Sequence, residues 1–352
     1  MKEFWSDRIR GITPYTPGEQ PKNRTFIKLN TNENPYPPSP KAVEAIQEAA
    51  GEGLRLYPDP EGTPLIQALA RRTGLQENQI FVGNGSDEVL AFAFQAFFDE
   101  GSTIVFPDIT YSFYPVYANL FGIRCRTIPL REDFTLPMEQ FLGDNDGVVI
   151  ANPNAPTGIE LDQESIRRIL EGNPDKVVIV DEAYVDFGGV SALPLIDEYP
   201  NLLVVQTASK SRALAGLRVG FAFGNANLIA GINCVKNSIN SYTLDRLAIV
   251  GATASVEDED YFQAQRRRVM ETRERTAARL RALGFTVLPS QSNFIFVSHP
   301  TVPAKTLFAG LREAGILVRY FAQPRIDNYL RITIGTDPDM EALAAALERL
   351  TR

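Results

Sequence analysis

Three features of the sequence predict an α/β protein, with a mostly parallel sheet flanked by helices and followed by a smaller α+β region. Short apolar runs recur without polar interruption, helical segments separate them, and the texture changes after about residue 255. Continuous apolar runs suit strands covered on both faces, which is the situation in a parallel sheet.

The elements follow in order. NPYPPSP at Asn34–Pro40 reads as an extended segment, with Ser39 capping a helix over Ala42–Ala50 and Pro40 at its first position. QIFV at Gln79–Val82 is a strand that leads into a helix over Ser86–Phe98. TIVF at Thr103–Phe106, GVVIA at Gly147–Ala151, VVIV at Val177–Val180, LLVVQ at Leu202–Gln206 and Val219–Phe223 supply five more strands. Glu257–Leu283 reads as one long amphipathic helix. Strands are expected at Thr286–Leu288, Phe294–Val297, Leu317–Arg319 and Leu330–Ile334, with helices at Ala304–Ala314 and Pro338–Leu350, the last capped by Asp337. The predicted organisation is an arm over 1–38, a large domain over 39–255 and a small one over 256–352.

Composition narrows the chemistry. The chain has 352 residues, 35 Lys and Arg against 43 Asp and Glu, and a net charge of −8. An acidic balance argues against nucleic acid as partner. Its one triple-basic run, Arg266–Arg268, is flanked by acids and reads as a solvated helix face. One histidine, His299, and two cysteines, Cys125 and Cys234, leave no zinc framework, no metal cluster and no disulfide scaffold. Proton chemistry therefore falls to Lys, Asp, Glu or Tyr, or to an organic cofactor. No apolar stretch approaches a membrane span and the N-terminus lacks an apolar leader, so a cytoplasmic location is expected.

Four strand-end segments could carry function. GNGSDE at Gly83–Glu88 opens a helix and offers free backbone N–H groups to a phosphate, although Ser86 could simply cap the helix. VVIVDEAY ends a buried strand in Asp181 and Glu182, a costly place for a carboxylate without a cation. It fits a metal ligand, a partner for a protonated ring nitrogen, or a helix cap. TASK at Thr207–Lys210, with Arg218 eight residues on, could hold an anion or present a nucleophilic lysine; a surface lysine is the plainer alternative. NPNAPTG at Asn152–Gly158 is a proline-stiffened turn that could fix an amide in place.

Together these segments resemble the aspartate-aminotransferase superfamily of pyridoxal-phosphate (PLP) enzymes, fold type I. The resemblance covers nearly the whole chain and rests also on LNTNENP, LYPD, SKSRALAGLRVG, NSYTLDRL and LRITIGT. It implies that Lys210 is the Schiff-base lysine, that Asp181 pairs with the pyridine nitrogen, and that Tyr184 bonds the ring hydroxyl. Tyr111 is implied to stack on the ring, while Gly85, Ser86, Asp87, Thr207, Ser209 and Arg218 hold the phosphate. The family places an Asn just before P-T-G, where this chain has Ala155, so Asn154 is the substitute candidate. Tyr57 is implied to reach the partner's phosphate across a homodimer. Arg331, with Arg319 second, is implied to grip substrate anions, and Tyr15 and Asn30 to close over the substrate.

Within the superfamily the chain looks like the branch that acts on histidinol phosphate, with 2-oxoglutarate as amino acceptor. An aromatic amino-acid aminotransferase and a threonine-phosphate decarboxylase share the same apparatus and remain open. A P-loop-like nucleotide-binding module is a third class, weakened by the lack of G-K-[ST].

Overall fold

The structure is a computed structural model that describes residues 4–16, 18–21 and 25–352. Its strands are β1 (Ile27–Lys28), β2 (Ile80–Gly83), β3 (Thr103–Pro107), β4 (Arg124–Ile128), β5 (Gly147–Ala151), β6 (Val177–Asp181), β7 (Leu202–Thr207), β8 (Gly220–Gly224), β9 (Thr286–Val287), β10 (Phe294–Ser298), β11 (Ile316–Leu317), β12 (Arg319–Tyr320) and β13 (Leu330–Thr333). The helices are α1 (Asp7–Arg10), α2 (Pro40–Ala49), α3 (Thr63–Thr73), α4 (Gly85–Phe97), α5 (Tyr114–Phe121), α6 (Gln163–Glu171), α7 (Ala226–Ile239), α8 (Arg246–Glu257), α9 (Glu259–Ala282), α10 (Ala304–Glu313) and α11 (Asp337–Thr351).

Seven strands form one sheet in the order β2-β8-β7-β6-β5-β3-β4. β8 runs antiparallel to both neighbours, and the remaining pairs are parallel. Alternate residues of every strand but β4 enter separate cores. Val178, Val180, Leu202 and Val204 pack on one face, while Ile179, Leu203, Val205 and Ala222 pack on the other. That two-sided burial is why these strands read as unbroken apolar runs. A second sheet, β12-β13-β10-β9, is antiparallel and carries its own core with α9, α10 and α11. β1 pairs in parallel with β11, so the N-terminal segment is tied to the C-terminal part.

Several expectations need correction. The long helix starts at Glu259, because Asp258 breaks it from α8; its carboxylate accepts Ser39 Oγ at 2.5 Å and Lys41 Nζ at 2.9 Å. Thr336, not Asp337, caps α11, in a capping box with Asp339; Asp337 instead pairs with Arg275 at 2.6 Å. The stretch expected as one strand at 317–319 is divided between β11 and β12, which pair with different strands. β1 and β4 were not expected. β4, RCRTI, is an exposed edge strand and shows no apolar run.

Candidate active site

Parallel strands place their C-terminal ends on one edge, and β3, β5, β6 and β7 each deliver a loop there. Between that edge, Tyr15, Gly18, Gln20, Asn30, Thr31 and Asn32 on one side and β12–β13 on the other lies a cavity of about 290 Å3. Its wall contains Tyr15, Asn30, Ser86, Asp87, Tyr111 and Asp181, and also Tyr184, Thr207, Ser209, Lys210, Arg218, Arg319 and Arg331.

The anion cup is built at the start of α4. Gly85 has φ +80, and a Cβ there would meet the Arg218 guanidinium at 2.7 Å. Only glycine lets the arginine come this close. Asn84, not Ser86, is the helix N-cap, and its side chain makes no capping bond, so Ser86 stands in the first turn facing the cavity. The two acids do not spoil the cup. Glu88 turns back to accept the Asn84 N–H at 2.6 Å, and Asp87 is taken up by Tyr111 Oη at 2.8 Å and Arg218 Nη2 at 3.2 Å. Across from them the Thr207 hydroxyl donates to Ser209 Oγ at 3.0 Å.

Asp181 ends β6 and is 5% exposed. Burial pushes its carboxyl up to about 6, against the stabilising bonds from Tyr114 Oη (2.9 Å) and the Ala183 N–H (3.2 Å). A cationic ring nitrogen is the partner that such a buried carboxylate fits. Glu182 points the opposite way, as strand alternation requires, and accepts Ser191 Oγ, Ala192 N and Gln206 Nε2. Burial raises it to about 7.

Lys210 Nζ donates to Thr31 O at 3.2 Å and sits 5.9 Å from the Tyr184 ring centre. Its backbone carbonyl accepts Asn34 Nδ2 at 3.0 Å, which fixes the loop. Tyr184 Oη accepts Asn32 Nδ2 at 2.9 Å. Asn32 is held in the left-handed region, φ 57, and is bonded to Thr333 and Asn293. At the far wall Arg319 and Arg331 face each other across the β12–β13 ladder. Arg331 Nη2 donates to Asn30 O at 3.0 Å, while its buried Nε has no partner. Burial first, then Arg319, holds the Arg331 guanidinium below its usual range. Two adjacent cations and an orphaned donor call for an anionic ligand.

Of the expected residues, Gly85 backs the cup behind Arg218, and two more lie outside the wall of this chain's cavity, Tyr57 as the resemblance implies. Asn154 is outside the wall, because its amide is spent on Ile109 O, Thr157 Oγ1 and Thr110 Oγ1; Ala155 lines the cavity instead. Tyr57 is 78% exposed, stacked on Tyr242, and remote from this chain's cavity wall. Asn32, Tyr114 and Phe321 were missed. Asn32 lies inside LNTNENP and Tyr114 three residues after Tyr111, but only their long-range partners reveal them. Among the described residues no group of three or more His, Cys, Asp or Glu could hold a metal ion, and no helix is long and apolar enough to cross a membrane.

A lysine amine, a buried carboxylate and an anion cup around one cavity fit a phosphorylated, nitrogen-containing aldehyde cofactor, and the whole chain agrees. It belongs to the aminotransferase class I and II family, whose profile matches residues 24–347. Its relatives carry a more particular name. It is 56% identical over 340 residues to the histidinol-phosphate aminotransferase of Clostridium acetobutylicum, covering 97% of each chain. It is 57% identical to that of a Marinomonas species, covering 99% of this chain and 100% of the relative. The crystal structure of histidinol-phosphate aminotransferase from Sinorhizobium meliloti in complex with pyridoxal-5'-phosphate superposes with a TM-score of 0.90, at 25% identity over 99% of this chain and 98% of that one. A Thermus thermophilus aspartate aminotransferase mutant shares the fold, with a TM-score of 0.82 over 98% and 99% of the two chains at 20% identity.

Proposed function

We propose that the protein transfers the amino group of histidinol phosphate to 2-oxoglutarate, giving imidazole-acetol phosphate and glutamate, a step of histidine biosynthesis. The observation that carries this is one cavity with Lys210 and Asp181 at one side and the Arg319–Arg331 pair at the other. The full-length relatives named above support the donor.

Pyridoxal 5'-phosphate, when bound, supplies the electron sink that acidifies the substrate's Cα–H. Asp181 would hold a proton on its ring nitrogen, Tyr184 would meet its hydroxyl, and Tyr111 its face. Ser86, Thr207, Ser209 and Arg218 would hold its phosphate. Lys210 Nζ would take up and return the proton at the substrate's Cα. Its amine is held at the cavity wall by the bond to the Thr31 carbonyl. Arg331 offers a planar fork that meets a phosphate or a carboxylate equally well. That suits a two-step exchange in which the phosphorylated donor and the dicarboxylate acceptor use the site in turn. Tyr15 and Asn30 form the wall on the N-terminal side.

A large part over 39–255, a small part over 256–352 and an arm over 1–38 form a homodimer, in which Tyr57 completes the partner's phosphate site. Tyr57 lies among the exposed apolar residues Leu54, Leu56, Ile239 and Tyr242. Free Cys125 and Cys234 favour a reducing cytoplasm.

The test is a donor panel with 2-oxoglutarate. Histidinol phosphate should show the highest kcat/KM, above phenylalanine, tyrosine and aspartate. Preference for phenylalanine would make it an aromatic aminotransferase, and CO2 release would make it a lyase. Borohydride should trap the cofactor on Lys210, and Lys210→Ala should lower turnover by at least about 1000-fold.

A further inference from the structure

Arg325 stands outside the cavity wall, in the segment that joins β12 to β13, yet both terminal nitrogens of its guanidinium are engaged. Nη1 donates to Asp108 Oδ2 at 2.9 Å, and Nη2 donates to Leu130 O at 2.6 Å and Arg131 O at 2.9 Å. Asp108 is occupied as well. Its other carboxylate oxygen accepts the Leu130 N–H at 2.9 Å, and its backbone carbonyl accepts Gln323 Nε2 at 3.4 Å.

The backbone around this contact is unusual. Arg325 has φ 72 and Phe134, on the facing turn, has φ 63, both in the left-handed region that side chains disfavour. Phe134 packs its ring edge-on against Phe296 and Tyr329, and Ile109, Leu130 and Ile326 complete this small core.

A lone ion pair, a third exposed on one side and a quarter on the other, would contribute little. This one joins three segments: the end of β3, the turn over 129–135 and the strap over 321–329. Two of the three line the cavity. Ile109, Thr110 and Tyr111 follow Asp108 directly; Phe321, Gln323 and Ile326 flank Arg325; and Arg319 and Arg331 bracket the strap. The clamp therefore fixes the spacing between the aromatic wall and the wall with the paired arginines. Lys210, Asp181 and Arg218 make no bond to it.

We infer that Arg325 is a positioning residue, clamped on Asp108, that sets the width of the substrate end of the cavity and so selects the amine donor. The inference rests on the amine-transfer reading above and adds a selectivity element to it.

The test compares wild-type holoenzyme with Arg325→Asn, Arg325→Lys and Asp108→Asn. Asn tolerates a left-handed backbone, so the first variant removes the fork without adding strain. Hydrogen exchange should speed up at least about tenfold across 321–329 in Arg325→Asn. KM for the preferred donor should rise about tenfold, with kcat and the absorbance-titrated cofactor affinity within about twofold of wild type. Arg325→Lys and Asp108→Asn should fall between. A KM within twofold of wild type in Arg325→Asn overturns the inference, as does unchanged exchange. A joint fall of kcat and cofactor affinity also overturns it, by showing a general structural role. KM is compared on whichever donor the wild type uses best, so a wild type that ignores histidinol phosphate sinks the functional reading alone.

Discussion

Arg331 is held at the back of the cavity by one carbonyl and two aromatic rings, Phe294 at 5.4 Å and Phe321 at 5.7 Å. Such a planar, weakly hydrated cation tolerates this setting where an ammonium does not. Arg331→Lys should lower kcat/KM for 2-oxoglutarate about 100-fold, equivalent to about 2.7 kcal/mol, in a steady-state assay. His299 behaves differently. Its ring is buried against Phe285 at 4.8 Å, and Nδ1 accepts the Val302 and Thr301 N–H groups at 3.2 and 3.4 Å. It closes a turn ahead of α10 and is remote from the cavity. His299→Ala should cost about 1–2 kcal/mol in urea unfolding and leave turnover within about twofold, while His299→Asn should recover part of the stability. Lys210 and Asp181 are legible in the sequence because each stands at or just past the end of a recognisable strand, and Arg218 because it stands just before the next one. A sequence reading does not reach Asn32, Tyr114 or Asp108, whose partners are 152, 67 and 217 positions away.

At the level of elements, the end of β6 shows how strand alternation assigns two neighbouring carboxylates to different roles. Asp181 faces the cavity; Glu182 ties the strand end to Ser191 and Ala192 and to Gln206 on β7. Glu182 has a folded-state pKa of about 7, above its ordinary 4.5. The folded protein therefore binds that proton more tightly than the unfolded chain. The stability it contributes is complete below pH 4.5 and is lost as the pH rises to 7, by up to about 3 kcal/mol. Glu182→Gln should flatten that slope in urea titrations at pH 5 and pH 8. An unchanged slope would assign it to other groups. The core strands were legible because both faces are buried and each residue is apolar. β4 was not, since four of its five residues are exposed, and a polar edge strand has no distinctive pattern. The caps show the same limit: Ser39 was readable beside Pro40, whereas Thr336 and Asp337 both suit a cap, and only the reciprocal bond with Asp339 decides between them.

For the molecule as a whole, Tyr57 and its apolar neighbours predict that neither chain of a pair has a complete site of its own. Mixing inactive Lys210→Ala chains with Tyr57→Ala chains should restore activity, up to about a quarter of wild type at equal amounts, because half of the dimers then carry one intact site. Failure of the mixture to exceed its parts would refute the shared site. The parallel pairing of Ile27 with Ile316 has a further consequence, for synthesis. The cavity wall needs residues from Tyr15 to Arg331, so no nascent chain can assemble it until the ribosome has passed Arg331. At roughly 5–20 residues per second, the first strand waits about 15 seconds to a minute for its partner. Throughout that interval the amino-terminal stretch is without its final contacts, and protection from proteases or chaperone release should come last there.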